Sequence, residues 1–363
     1  MTHIPNYQRL KSDPAFREIF EKRARAMSAI RQFFAGDGFL EVETPILVNL
    51  PGMEPYLDVF KTRFVSEGAI AGGQGRDARD MYLITSPEYA MKKLLVGGME
   101  KIFQLTRSFR NKETGGALHN PEFTILEWYR SGADYTDIMR DTERLMRYVC
   151  RELHDGRESF TYQGVKVDLS GDFERLTVAT AFEKYAGVSR EIFEDSGKLI
   201  VEARARGYGG GPQGGEPLSY DDAFFLIFLN EIEGKLGGVG ADGSVRPTIL
   251  CEYPVSMAAL SRECASDSRY AERFEIYVCG LELCNAFGEL TDAVEQERRL
   301  GAEAKERARL GKDLYDVDES FIEALKIGMP PSGGIALGVD RLIMLLLDQV
   351  SIEDVMLFPF RDL

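Results

Sequence analysis

Lys101-Ile102-Phe103-Gln104-Leu105-Thr106-Arg107-Ser108-Phe109-Arg110-Asn111, a short loop, and then His119-Asn120-Pro121-Glu122-Phe123-Thr124-Ile125-Leu126-Glu127-Trp128-Tyr129-Arg130 form the stretch whose reading decides the fold. Both arms read as strands. In the first, Phe103, Leu105 and Arg107 fall on one face with small or polar residues between them. The connection, Lys112-Glu113-Thr114-Gly115-Gly116-Ala117-Leu118, is too long for a tight hairpin turn, so the pair is an antiparallel ribbon closed by a long loop. Arg110 and Asn111 stand just before that loop, His119 and Asn120 just after it. An anion site has a use for them, because the planar fork of arginine matches a phosphate and keeps its charge at any working pH. A plain hairpin with a polar tip accommodates the same residues, and the pattern alone leaves both readings open.

Upstream, Ser12-Asp13-Pro14 is a helix start with a capping side chain and proline in the first turn. Residues 1–13 before it read as a loose arm. The helix predicted from there carries Phe16, Ile19, Phe20, Ala24, Met27, Ile30 and Phe34 on one face and stops at Gly36-Asp37-Gly38. Phe39 to Leu47 alternates like a strand, but Pro45 demotes it to an edge or a break. This helix and strand suit a dimer seam and a core helix with an edge strand equally well. Lys61 to Val65 is a possible strand, and residues 69–80 read as a surface loop. Met81 to Thr85 is a short strand, followed by Ser86-Pro87-Glu88 at the head of a helix. Glu88 there is explained by the helix dipole, or by a role in a site.

Downstream, Tyr135 to Leu153 is an amphipathic helix, Phe160 to Val167 a strand or hairpin and Val178 to Tyr185 a short helix. Residues 187–245 have the weakest pattern and read as an insertion with a glycine-rich loop, Gly207 to Gly215. Those glycines lack the strand-to-helix setting of a phosphate loop. Arg246 to Tyr253 is a strand; Arg273 to Cys279 and Leu281 to Asn285 form a hairpin about Gly280. Glu282 and Glu289 are seven apart, on opposite faces of an unbroken strand, and a break at Phe287-Gly288 would bring them together to hold a divalent cation carrying phosphates. Glu295 to Leu310 reads as a charged, solvated helix and Glu319 to Lys326 as another. Gly333 to Leu347 is a glycine-rich strand running into an apolar helix, with Asp340 and Arg341 on its opening turn, where a helix start can face a polyphosphate.

The chain of 363 residues has ordinary globular composition, and its net charge of −15 is the wrong sign for a protein that relies on the nucleic-acid backbone for affinity. It contains no apolar run long enough to cross a bilayer and no signal-peptide pattern. Its five cysteines lack paired metal-ligand spacing, and with three histidines they give no basis for a zinc site; free thiols in a reducing cytoplasm are expected.

Phe39 to Pro45, Phe109 to Tyr129 and Gly334 to Arg341 resemble, in order and spacing, the three signature motifs of class II aminoacyl-tRNA synthetases. Ser86-Pro87-Glu88, His119 to Phe123 and Leu281 to Asp292 resemble the lysine branch. Leu126 to Arg130 and Glu323 to Pro330 are similar to its truncated paralogues, the ligases that place (R)-β-lysine on elongation factor P. The resemblance implies an α+β fold, an antiparallel sheet flanked by helices, and a homodimer formed through the first motif. Residues 14–363 would be the catalytic domain, with a variable insertion at about 187–245 and no anticodon-binding domain. It also implies that a lysine-type carboxylate and ATP, with Mg2+, give an aminoacyl-adenylate, which a lysine amine of elongation factor P attacks; neither tRNA nor a membrane is an expected partner.

By the same resemblance Arg110 binds the α-phosphate, Phe123 stacks on adenine, and Arg341 holds the far end of the triphosphate. Asn111, Lys112, Glu113, Asn120, Leu283 and Gly338 complete the ATP site. Glu282 and Glu289 carry magnesium, and Arg110, Arg341 and Glu289 are the catalytic set. Ser86, Pro87, Glu88, Tyr129, Glu289 and Ala336 line the amino-acid pocket. The position of Ala336 is typically glycine in lysyl-tRNA synthetases. Its methyl would crowd an amino group on the α-carbon more than one on the β-carbon, or would simply pack against a neighbour such as Leu342. One departure stands out: the motif's Arg-x-Glu puts Lys112 where glutamate is expected, with Glu113 next along. Two further readings remain beside the ligase: a synthetase-like binding or regulatory module without catalysis, and a lysyl-tRNA synthetase acting without an anticodon domain.

Overall fold

The computed structural model describes residues 4–66, 78–113, 116–209 and 218–363. Parts of three expected loops, residues 67–77, Thr114-Gly115 and most of the glycine-rich run (210–217), lie outside them. The chain forms two compact units, one from residues 1–134 with 289–363 and the other from residues 135–288.

The first unit begins with α1 (Asn6–Ser12) and α2 (Pro14–Gly36). The expected arm is therefore a helix: the Asn6 side-chain amide donates to the carbonyls of Glu353 and Met356, 2.8 Å each, and its backbone N–H to Asp362. Asp13 caps α2 by accepting from Phe16 N–H at 3.1 Å. The face that α2 buries is Phe16, Ala26, Ala29, Ile30, Phe33 and Phe34. Ala24 is exposed, because the covered stripe drifts around a helix of this length. The first-motif strand survives only as β1 (Leu40–Glu41) and β2 (Leu47–Val48), with irregular backbone through Pro45, which has no N–H for a ladder. Then come β3 (Lys61–Val65), β4 (Ala78–Leu83), α3 (Glu88–Val96), β5 (Lys101–Phe109) and β6 (Glu122–Ser131).

The second unit holds α4 (Tyr135–Leu153), the hairpin β7 (Ser159–Tyr162) and β8 (Val165–Asp168), and β9 (Glu174–Thr177). Short helices follow, among them α5 (Ser196–Ala205) and α6 (Tyr220–Ile227), then β10 (Thr248–Pro254), β11 (Glu263–Cys264), β12 (Asp267–Val278) and β13 (Leu281–Gly288). The weakly patterned region thus contains helices. Leu199, Ala203, Phe224, Ile227, Phe228 and Ile232 join one apolar cluster with Leu250 and Tyr277 of the strands.

The chain returns to the first unit through α7 (Ala293–Arg309), α8 (Glu319–Gly328), β14 (Ser332–Gly338) and α9 (Val339–Leu346). Helix α7 is solvated over most of its surface, as its charges suggest, but its covered face buries Arg299 and Arg307. Arg307 donates from Nη1 to the carbonyls of Glu54 (2.7 Å) and Leu57 (2.9 Å), fixing that loop.

In the first unit the strand order is β1-β5-β6-β14, parallel at β1–β5 and antiparallel beyond. In the second it is β13-β12-β10-β9, antiparallel except for β9–β10. The register pairs Phe103 with Trp128, and Phe34 of α2 stacks on Phe103 at 4.7 Å. Gln104, expected on a polar face, is buried and bonded to Thr44, because β5 is covered on both sides. No helix among the described residues is long and apolar enough to cross a membrane.

Candidate active site

Strand β6 supplies the floor of the site. Residues directly opposite in an antiparallel pair share a face, and β14 sets Gly334 against Tyr129 and Ala336 against Glu127. A side chain at Gly334 would collide with the Tyr129 ring and the Glu289 carboxylate, so the floor is bare there by necessity.

Around it runs one polar network. Tyr129 OH donates to Glu127 Oε2 (3.0 Å), and Ser86 Oγ donates to Glu127 Oε1 (2.6 Å). Ser86 Oγ also accepts the N–H of Glu88 at 3.0 Å, so the serine does cap-like work one residue before Pro87, the helix's N-cap position. Lys92, one turn along α3, places Nζ 2.6 Å from Glu88 Oε1 and 2.5 Å from Glu289 Oε2. Burial alone would depress the Lys92 pKa, but the charges of Glu289 and then Glu88 outweigh it and hold the ammonium protonated. Burial, then the charge of Glu88, pushes the Glu127 carboxyl up to about 8, against the Ser86 and Tyr129 hydrogen bonds. Neither Lys92 nor Glu127 was singled out from sequence. The available signal was a charge on the covered stripe of a helix and another inside Ile125-Leu126-Glu127-Trp128, positions that otherwise take apolar residues.

Beside the network lies a cavity of about 520 Å³, lined in part by Ser86, Pro87, Glu88 and Glu54.

The long loop gathers the second group. The Arg110 guanidinium lies over the Phe123 ring at 5.1 Å, with its Nε buried and unpartnered among the described residues, and 3.8 Å from Glu113. An orphaned arginine N–H beside a half-buried aromatic ring fits a nucleotide phosphate and base. Arg341 Nη2 lies 3.0 Å from His119 Nε2. Burial and then the Arg341 charge lower the His119 pKa, which favours the neutral ring, whose Nε2 accepts in the Nδ1–H tautomer.

Other expected contacts are spent within the protein. Asn120 donates to Glu122 O (2.6 Å) and accepts from Phe360 N–H (2.9 Å). Asn111 donates to Val59 O, and Lys112, at φ +64°, reaches Asp58 at 2.9 Å. Asp340 is also buried, paired with Arg23 at 2.6 Å and accepting from Thr124 N–H at 2.6 Å, so it anchors α9 to β6. Gly338 opens α9. Glu282 and Leu283 lie on β13 of the second unit, whereas Glu289 opens the returning segment of the first. Among the described residues no cluster of three or more acidic, histidine or cysteine side chains is poised for a metal. Any magnesium bound through Glu289 would therefore complete its coordination with water or phosphate oxygens.

A family model for the class II tRNA synthetases of the D, K and N group matches residues 5–362. The chain belongs to that family. Its fold is accordingly the α+β class II synthetase type, with mostly antiparallel sheet flanked by helices. Among curated relatives, a lysine–tRNA ligase of Magnetococcus marinus is 37% identical over 345 residues, covering 94% of this chain and 64% of that protein. The lysine–tRNA ligase of Oceanobacillus iheyensis is 35% identical over 358 residues, covering 97% of this chain and 66% of the relative. One from Campylobacter jejuni is 36% identical over 346 residues, covering 94% and 64%. This class II chain thus spans a little under two thirds of the length of these relatives.

Proposed function

We propose that the protein condenses a lysine-type amino acid with ATP and transfers the acyl group to a lysine side chain of elongation factor P. The observation that carries the lysine assignment is the Tyr129–Glu127–Ser86–Glu88–Lys92–Glu289 network, which already seats one alkylammonium between two carboxylates. In the first step a substrate carboxylate oxygen attacks the α-phosphorus and pyrophosphate leaves. Arg110 offsets the charge that develops there, Phe123 stacks on the base, and Arg341 holds the distal phosphates. Glu113, beside Arg110, takes the part of the expected motif glutamate that Lys112 leaves open. Magnesium, when bound, would neutralise the triphosphate, with Glu289 as the carboxylate the first unit offers it. In the second step the amine of the acceptor attacks the acyl carbon, AMP leaves, and the amine loses a proton.

The β-isomer is favoured because Ala336 stands opposite Glu127 on the pocket face, where one methyl can shift discrimination by about 1–3 kcal/mol. The net charge of −15 supports a protein acceptor over a polyanion. The relatives' name is the observation that favours the second reading, transfer to tRNA. We read residues 14–363 as one catalytic domain, with the variable insertion at about 187–245, working as a cytoplasmic homodimer.

The test is incubation with ATP, magnesium, each lysine isomer and elongation factor P, followed by mass spectrometry of the factor. The expected result is a mass increase of one lysyl group with the β-isomer. Charging of purified lysine tRNA, with the factor unchanged, would reverse the order of the two readings.

A further inference from the structure

A diaminocarboxylate brings two ammonium groups into the pocket, and the network described above centres on a single Lys92 ammonium. Glu54 is a carboxyl outside that network. It lies on the loop before β3, where Arg307 takes its backbone carbonyl at 2.7 Å. Its side chain folds back over Gly52 so closely that a Cβ there would be 2.5 Å from Glu54 Oε2. Gly52 is itself tied down, its carbonyl accepting from Tyr315 OH at 2.7 Å. Glu54 Oε2 is buried and has no hydrogen-bond partner among the described residues. It lines the same cavity as Ser86 and Glu88. Burial raises the Glu54 pKa against a hydrogen bond from its own backbone N–H; the charge of Glu88 adds to the rise, and Arg110 acts the other way. The carboxyl therefore lies within the field of both the pocket acid Glu88 and the arginine assigned to the reacting phosphate. A buried carboxylate oxygen left without a partner is costly, and a ligand donor that reaches Oε2 recovers that cost.

We propose that Glu54 is a specificity-determining residue for the acyl substrate, accepting a hydrogen bond from the amino group nearest the reacting carboxylate. The inference rests on the lysine-activating reading given above. Glu54 shares its cavity with Ser86 and Glu88 and feels the charge of Arg110, so the amino group nearer the reacting carboxylate is assigned to Glu54 and the distal ammonium to Glu127 and Glu289. A side chain at position 52 would push the Glu54 carboxyl away without removing it. Two independent changes therefore address one contact.

The experiment measures KM for each lysine isomer and KM for ATP by pyrophosphate exchange, in the parent, Glu54→Gln and Gly52→Ala. The expected result is a rise of about tenfold or more in amino-acid KM in both variants, with ATP KM moving less than threefold and Glu54→Asp recovering part of the loss. Equal shifts in both KM values indicate a structural role and overturn the proposal. So does an amino-acid KM within threefold of the parent. If the parent shows no lysine-dependent exchange, the functional reading is what fails, and equilibrium dialysis of radiolabelled lysine isomers decides the role of Glu54. Tighter retention by the parent than by Glu54→Gln supports it, and equal or absent retention overturns it.

Discussion

The Lys92 ammonium lies 2.5 Å from the Glu289 carboxylate with both side chains fully buried, so a helix and a distant segment of the chain meet at one ion pair. Removing one partner leaves a buried charge uncompensated, which costs about 3–5 kcal/mol. Lys92→Met is expected to lose that much unfolding free energy in a urea titration. A loss below about 1 kcal/mol would mean that Glu88 and Glu289 find other partners.

Glu127 has a pKa raised by burial from 4.5 to about 8. Between those values the folded protein holds a proton that the unfolded chain has released. Stability from this group is therefore fully present below about pH 4.5, falls as pH rises, and is lost above about pH 8. The slope approaches about 1.4 kcal/mol per pH unit inside that window. Glu127→Gln should flatten that part of the pH–stability curve. An unchanged slope would place the titration elsewhere.

Arg341 faces its ring partner His119 through one guanidinium nitrogen. Arg341→Ala is expected to cost about 2.7–4 kcal/mol of transition-state stabilisation, as for the loss of one preorganised electrostatic group. Lysine-dependent pyrophosphate exchange measures it through kcat/KM. Near-parent turnover would move the triphosphate away from α9.

Ala336→Gly removes the methyl opposite Glu127. It should improve the use of α-lysine selectively, by a factor corresponding to about 1–3 kcal/mol. An equal change for both isomers, or a parent that already prefers α-lysine, assigns discrimination to another residue.

The β5–β6 ribbon was legible because its signals are local: alternation, neighbouring arms, and a loop rich in glycine. So was the helix start at Asp13-Pro14, where a capping carboxylate and its N–H donor lie within three residues. Lys92 was not legible. Its burial depends on Glu289, which arrives from far along the chain, and sequence spacing exposes only its neighbour Glu88. Arg307 misled in the same way, since its guanidinium serves backbone carbonyls of a loop more than two hundred positions earlier. In the insertion, short helices that owe their burial to the strands they pack against carry too few turns to set up a period. The site residues gathered by the motifs were found as types and positions. Whether each faces a ligand or, like Asn120, serves the protein's own backbone depended on partners that no spacing reveals.

The interruption of the first unit by residues 135–288 has a consequence for the order of synthesis. A chain emerging from a ribosome completes β5 and β6 early, but β14 and Glu289 appear only after the whole intervening unit. Until then β6 has no neighbour on its β14 side, and Lys92 lacks its strongest partner. The nascent protein can therefore assemble its second unit before β14 and Glu289 reach the first, and the Lys92–Glu289 pair forms late, as a long-range contact.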